Sequence, residues 1–131
     1  MTIERIYPEG LRRPPTYTPV VRATGGSTIY LSGQVPVDLE GHIVGAGDFA
    51  AQARQVFANI RIALAAVGAD FSNVVKMTTY IVNYHPDLRE ALGAARSEAM
   101  GDALPASTLV GVQALATPDY LIEVEAIAVV G

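Results

Sequence analysis

The chain has 131 residues, a length typical of one domain, so we treat residues 1–131 as a single unit. Half of the residues are hydrophobic, only 17% are charged and the formal net charge is −4. The low charge favours an oligomer, and the acidic balance argues against nucleic acid as the main ligand. The absence of cysteine excludes disulfides, thiolate nucleophiles and cysteine-ligated zinc.

The N-terminal third predicts a loop followed by short strands. The segment MTIERIYPEG has no apolar run, so we expect no signal peptide or membrane span, and a cytoplasmic location. YPEGLRRPPTYTP is rich in proline and predicts an ordered loop or sheet edge. Residues 20–24 and 28–32 read as a hairpin around Gly25 and Gly26, and a short strand is expected near a turn at Gly41.

The pattern then changes to a helical period. Apolar residues from Phe49 to Val67 form one stripe, with Asp48 as a plausible N-cap and Gly68 as the stop. NVVKMTTYIV predicts a strand, and HPDLREALGAARSEAMGD predicts a second helix. Residues 107–115 and 120–129 predict a closing hairpin. The order β-β-(β)-α-β-α-β-β indicates an α/β (α+β) two-layer domain with two helices on one face of a mixed sheet.

The last strand has two unlike faces. Its even-numbered residues, from Ile122 to Val130, are apolar and are expected to lie under the helices. The opposite face carries Glu123 and Glu125 among Leu, Ile and Val, a mixture that fits a subunit interface with a polar pocket. The alternative is that both glutamates are solvated, or paired across the sheet with an arginine such as Arg22.

Other motifs predict little chemistry. His42 and His85 have no cysteine or carboxylate at ligand spacing, so no metal site is expected. TGGST lacks the lysine and following helix of a phosphate-binding loop, and it reads as a turn.

Four stretches, TIYLSGQVPVD, QARQVFANIRIALAAVGAD, VVKMTTYIV and YLIEVEAIAVV, together resemble the RidA family, also called YjgF or L-PSP proteins. The similarity covers nearly the whole chain in the right order. It implies a chorismate-mutase-like fold, a homotrimer and small-molecule clefts between neighbouring subunits. It also implies hydrolysis of reactive imines and enamines, such as 2-aminoacrylate, to a 2-keto acid and ammonia, with no metal or organic cofactor.

Site residues follow from this resemblance position by position. Glu123 matches the glutamate that activates water, Ser32 a cleft serine and Tyr17 a cleft tyrosine, and these three are the catalytic candidates. The substrate-binding candidates are Ser107, Thr108 and Gly33. From local pattern alone, Tyr17 is equally well a packed loop aromatic and Ser32 a strand end.

The match departs from the family at the substrate-binding motif. The family reads Pro-x-Arg-Ser where this chain reads PAST, so Ser107 replaces an arginine that would hold a substrate carboxylate. Leu92 replaces a cleft asparagine, and Leu109 stands where many members have cysteine. The sequence leaves open whether Arg12, Arg13 or Arg22 supplies the missing charge.

Three functions are therefore carried forward. The first is a RidA-like hydrolase of an imine, an enamine or a related unsaturated amine, with activity on 2-imino acids in doubt because of Ser107. The second is a non-catalytic trimeric protein that binds or senses a small ligand. The third and weakest is an endoribonuclease, which the acidic balance and the lack of a basic patch argue against.

Overall fold

A computed structural model describes all 131 residues, which form six strands and two α-helices. The strands are β1 (Thr2–Ile6), β2 (Val20–Thr24), β3 (Ser27–Gln34), β4 (Val74–Val82), β5 (Ala106–Val112) and β6 (Ile122–Val130). The helices are α1 (Phe49–Ala65) and α2 (Arg89–Met100), and short 3-10 turns precede β4 and α2.

The sheet is mixed, and the helices pack on it as the sequence predicts. Its order is β3-β6-β4-β5, with β6 antiparallel to both neighbours and β4 parallel to β5. Because parallel neighbours need a crossover, α2 connects β4 to β5 across the sheet face. No helix of the protein is both long enough and apolar enough to traverse a bilayer.

Two hairpins that the sequence predicts do not form, because their strands pair with other strands. Gly25 and Gly26 do turn the chain with positive φ angles of 72° and 75°, but β2 pairs with β1 and β3 pairs with β6. Likewise β5 and β6 do not pair, because β4 lies between them. Short turns favour local hairpins, yet each strand here finds its ladder with a distant segment.

The short strand predicted after β3 does not form. Residues 34–45 were expected to contain it, but beyond the end of β3 at Gln34 they form only an isolated bridge between Val37 and Ile43. The additional strand is β1, at residues that we did not predict to be extended, and its antiparallel register pairs Ile3 with Ala23.

The core lies between the helices and the sheet. Asp48 caps α1 by accepting a hydrogen bond from the Ala51 amide, as predicted. The predicted stripe of α1 is buried from Ala53 to Leu64, whereas Phe49 is half-buried and Val67 lies beyond the end of the helix with 40% of its surface exposed. The alternate β6 residues expected under the helices are also buried, except Val130, which is half-buried. The buried apolar cluster has 17 members drawn from both helices, β3, β4, β6 and the turn before β4.

Gln52 is the one polar residue of α1 that is fully buried, with 0% of its surface exposed. Its side-chain nitrogen donates to the Gly45 carbonyl at 3.1 Å and to the Asp119 carbonyl at 3.0 Å. Its side-chain oxygen accepts from the Leu121 amide at 2.8 Å. One amide thus joins the loop before α1 to the turn that leads into β6.

We expect Gln52→Leu to lower the free energy of unfolding by about 2–4 kcal/mol, because it leaves buried backbone groups without partners. Gln55→Leu on the same helix is the control. It should cost less than about 1 kcal/mol, since the Val37 carbonyl that Gln55 contacts also accepts from Asn59. Urea unfolding followed by circular dichroism, at one protein concentration, measures both, and equal costs would contradict the assignment.

Candidate functional site

A cavity with a volume of about 590 Å³ lies on the helix side of the sheet beside β5. The loop before β2, the edge strand β5 and helix α2 form its walls, with β4 behind them. Its 14 lining residues are Arg12, Pro14, Pro15, Thr16, Tyr17, Phe57, Met77, Thr79, Tyr84, Arg89, Leu92, Arg96, Ser107 and Leu109.

Buried Thr18 hydrogen-bonds the loop before β2, which forms one wall of the cavity, to the segment before β5. Its hydroxyl donates to the Leu104 carbonyl at 2.6 Å, and its amide donates to the Pro105 carbonyl at 3.0 Å. Arg5 also donates to the Leu104 carbonyl, at 3.2 Å. These bonds hold the neighbouring Tyr17 on the cavity wall, where 40% of its surface remains exposed.

Consecutive residues of β5 face opposite sides of the sheet. Ser107 pairs with Met77 and lines the cavity, as does Leu109. Thr108 points to the other side, where its hydroxyl accepts a hydrogen bond of 2.7 Å from the Lys76 ammonium. Of the substrate-binding candidates, Ser107 therefore shares the cavity with Tyr17, whereas Thr108 does not line it.

The cavity is cationic. Arg12, Arg89 and Arg96 line it, and no aspartate or glutamate does. Arg89 donates to the Tyr84 hydroxyl at 2.9 Å, while burial lowers the pKa of the Arg96 guanidinium. Three like charges on one concave wall favour an anionic ligand.

Sequence reasoning missed two of these arginines, although a signal was present. Leu92 is a cleft position by resemblance, and Arg89 and Arg96 stand three residues before and four residues after it in the same helix. That spacing places all three on one helix face. Of the arginines that the sequence suggests as sources of the missing charge, Arg12 lines the cavity, whereas the Arg13 guanidinium stacks 3.8 Å above the centre of the Tyr7 ring.

Glu123 and Gly33 form a second cluster, on the open side of the sheet. The register of β3 with β6 shifts between Leu31 and Gln34, so exposed Ser32 and half-buried Gly33 lie in an irregular part of the strand. The carboxylate of Glu123 rests against Gly33, where a Cβ atom would overlap it. Glu123 makes no side-chain hydrogen bond or ion pair in the chain.

Glu125 has a different environment. The Tyr80 hydroxyl donates to it at 2.5 Å, and this hydrogen bond raises the pKa of Tyr80. Arg22 pairs with Glu4 at 2.7 Å on the β1–β2 ladder, so the suggestion that Arg22 neutralises the β6 glutamates is wrong. Hydrogen bonding to Arg22 also lowers the pKa of Glu4.

Within one chain, the candidate residues thus fall into two groups. Tyr17 and Ser107 line the cavity, whereas Glu123, with Gly33 against it, lies on the other face of the sheet beside exposed Ser32. No group of three or more histidine, aspartate or glutamate side chains is placed to hold a metal ion.

Comparison with known proteins gives a consistent result. The family model described as Endoribonuclease L-PSP matches residues 11–130. The 3-aminoacrylate deaminase RutC of Acinetobacter baylyi is 34% identical, with 98% of each chain covered. A 2-iminobutanoate/2-iminopropanoate deaminase of Dermatophagoides farinae is 31% identical, with 80% of each chain covered. The crystal structure of a Yersinia pestis protein of unknown function from the conserved Rid family superimposes with a TM-score of 0.93 at 36% identity, covering 99% of this chain and 100% of that one.

We expect Gly33→Ala and Gly26→Ala to differ in their effect on stability. At Gly33 the three atoms nearest to an added Cβ all belong to the flexible Glu123 side chain and φ is not positive, so Gly33→Ala should cost less than about 1 kcal/mol. At Gly26 φ is +75° and a Cβ atom would meet the Val130 carbonyl, so Gly26→Ala should cost about 1–3 kcal/mol. Urea unfolding compares them, and a crystal structure of Gly33→Ala should show the Glu123 carboxylate displaced.

The bond between Tyr80 and Glu125 predicts a titration change. Because the carboxylate stabilises the protonated phenol, Glu125→Ala should lower the pKa of Tyr80 towards its ordinary value of 10.0. NMR titration of ring-labelled tyrosine between about pH 9 and 12 measures this pKa. The bond stabilises the folded protein fully at pH values below the pKa of the unfolded phenol. This stabilisation is lost as the pH rises through the higher pKa of Tyr80 in the folded protein. An identical Tyr80 midpoint in wild type and variant would contradict the assignment.

Proposed function

The chain belongs to the endoribonuclease L-PSP family, which is the RidA (YjgF) family, and we propose that it hydrolyses a small reactive imine or enamine. The observation that carries this proposal is the Glu123 carboxylate, which lies on a half-buried strand position with no partner of its own. A carboxylate of this kind is free to accept a proton from a bound water. The relative RutC acts on 3-aminoacrylate, which is itself an enamine.

We further propose that the working protein is a homotrimer whose clefts lie between neighbouring chains. In such an assembly the cavity of one chain would meet the Glu123 group of the next, joining residues that one chain keeps on opposite faces. The composition supports association, since only 17% of residues are charged. The open face also carries Tyr30, which is 77% exposed in the isolated chain.

The reaction needs one water and no redox partner. An enamine first tautomerises to its imine, which has the reactive C=N bond. The Glu123 carboxylate accepts a proton from water as the water oxygen adds to the imine carbon. Protonation of the nitrogen, cleavage of the C–N bond and loss of the hydroxyl proton then release ammonia and a carbonyl product. Glu123 returns to its carboxylate form.

The remaining candidate residues orient the substrate in this scheme. The Tyr17 and Ser107 hydroxyls would donate hydrogen bonds from the cavity side. Ser32 and the small Gly33 would leave water and substrate close to Glu123. Holding the reactants in place converts a bimolecular encounter into a reaction within one complex, which is a large share of what such a site contributes.

A second function, ligand binding without turnover, is favoured by one observation. The cavity contains three arginines but no aspartate, glutamate or histidine, so by itself it has no side chain suited to act as a base near neutral pH. If the Glu123 group does not reach the cavity in the assembly, an anion would bind without being hydrolysed. The protein would then sense or sequester a small metabolite.

Replacement of Glu123 by glutamine separates the two functions. Removing a general base costs about 10²- to 10⁴-fold, so ammonia release from 2-aminoacrylate or 3-aminoacrylate should fall by that factor. Glu125→Gln is the matched control on the same strand face. Its rate should stay within about threefold of wild type, because the Glu125 carboxylate already accepts a hydrogen bond from the Tyr80 hydroxyl. Ammonia is measured by a coupled assay against the uncatalysed hydrolysis.

Equal rates in wild type and Glu123→Gln would remove the hydrolase proposal. Turnover absent from wild type, together with measurable binding of a small anion, would favour the binding function. Sedimentation of the wild-type protein tests the homotrimer independently, and a monomer at assay concentration would exclude a cleft between chains.

A further inference from the structure

Arg96 is an unusual arginine because it is half-buried and has no partner. It lies on α2 with its side chain on the cavity wall. Its guanidinium makes no side-chain hydrogen bond, and no carboxylate lies within the 4.0 Å of an ion pair. Burial removes part of the solvation of the charged guanidinium, and this lowers the pKa of Arg96. A charge in this condition is a ready site for an anion.

The other two cavity arginines are less suited to this role. Arg89 is exposed and its Nε donates to the Tyr84 hydroxyl at 2.9 Å. Arg12 is exposed on the loop wall. Electrostatic attraction is stronger where water is excluded, so an anion gains more from the half-buried Arg96 than from either of them. Arg12 and Arg89 instead raise the positive potential around the cavity.

The surroundings of Arg96 leave room for a small planar anion. Gly93, one turn earlier, has no side chain, and a Cβ atom there would stand 3.5 Å from a terminal nitrogen of Arg96. Across the cavity, position 107 on β5 carries only the short serine side chain. The guanidinium fork matches a carboxylate in two parallel hydrogen bonds. Leu92 and Leu109 line the same space and suit a short apolar chain attached to the carboxylate.

We propose that Arg96 binds the carboxylate of a small, partly apolar organic acid and so supplies from α2 the charge that Ser107 does not supply from β5. The inference rests on the function proposed above, because it names the substrate group that the same cleft holds. The sequence suggested Arg12, Arg13 or Arg22 as the source of the missing positive charge, and this proposal assigns that role to Arg96 on α2 instead. The ligand class is therefore a short-chain carboxylate with an apolar substituent.

The test measures binding and not turnover. The probes are 2-oxobutanoate and its neutral methyl ester, titrated into the wild-type assembly by calorimetry or ligand-observed NMR. The wild type should bind the acid at least about 10-fold more tightly than the ester, since a hydrogen-bonded charge is worth that much or more. Arg96→Met should weaken acid binding by about 10- to 100-fold and leave ester binding unchanged.

Two further variants serve as controls. Arg54→Met removes an exposed arginine of α1 that does not line the cavity, and it should bind the acid like wild type. Arg96→Lys keeps the charge but loses the planar fork, so its affinity should fall between those of wild type and Arg96→Met. Far-UV circular dichroism and sedimentation confirm that each variant folds and assembles.

Two outcomes would overturn the proposal. They are equal affinity of the wild type for acid and ester, and unchanged acid binding in Arg96→Met. If unchanged acid binding is accompanied by altered assembly of Arg96→Met, Arg96 instead pairs with an acidic group of another copy of the chain. Loss of the hydrolase proposal through Glu123→Gln leaves these binding results intact, so the two ideas fail separately.

Discussion

Strand β6 hydrogen-bonds along both of its edges, to β3 on one side and to β4 on the other, and this double pairing sets the rest of the structure. Side chains alternate along a strand, so once the register is set, Val124 must face the helices and Glu123 must face away. A slip by one residue would bury both glutamates under α1 and expose the apolar row. The same pairing that closes the core therefore positions the candidate catalytic carboxylate.

The distribution of charge follows from this layering. The chain as a whole is acidic, with a net charge of −4, yet the cavity beside β5 is lined by three arginines and no acid. A cationic concavity in an acidic surface concentrates its field at the mouth and favours small anions over polyanions such as nucleic acid. The carboxylate of Glu123 lies on the opposite face, so the proposed hydrolase would need an assembly that brings the cavity of one chain to the Glu123 of another.

Local pattern was sufficient wherever one element decided its own structure. The helical stripe and Asp48 predicted α1, and alternation predicted the burial of Ile122, Val124, Ala126 and Ala128, although not that of Val129. Pairing could not be predicted in this way, because β1 gave no strong signal and the real partners of β3 and β5 lie far along the chain. The cavity could not be predicted for the same reason, since five separate segments of the chain line it. The apolar stripe of α2 predicts a helix, but it does not predict that Arg96 faces a cavity.

The pairing of β3 with β6 joins Ser27 to Val130, so the sheet spans almost the whole chain. Contacts of such long sequence separation form late, because the loop between them must close first. On the ribosome, β3 would leave the exit tunnel well before the strand that covers its edge has been made. Until β6 emerges, β3 and β4 have no neighbour at the centre of the sheet and expose unpaired backbone N–H and C=O groups along those edges. Slow synthesis near the C-terminus should therefore favour aggregation and dependence on chaperones.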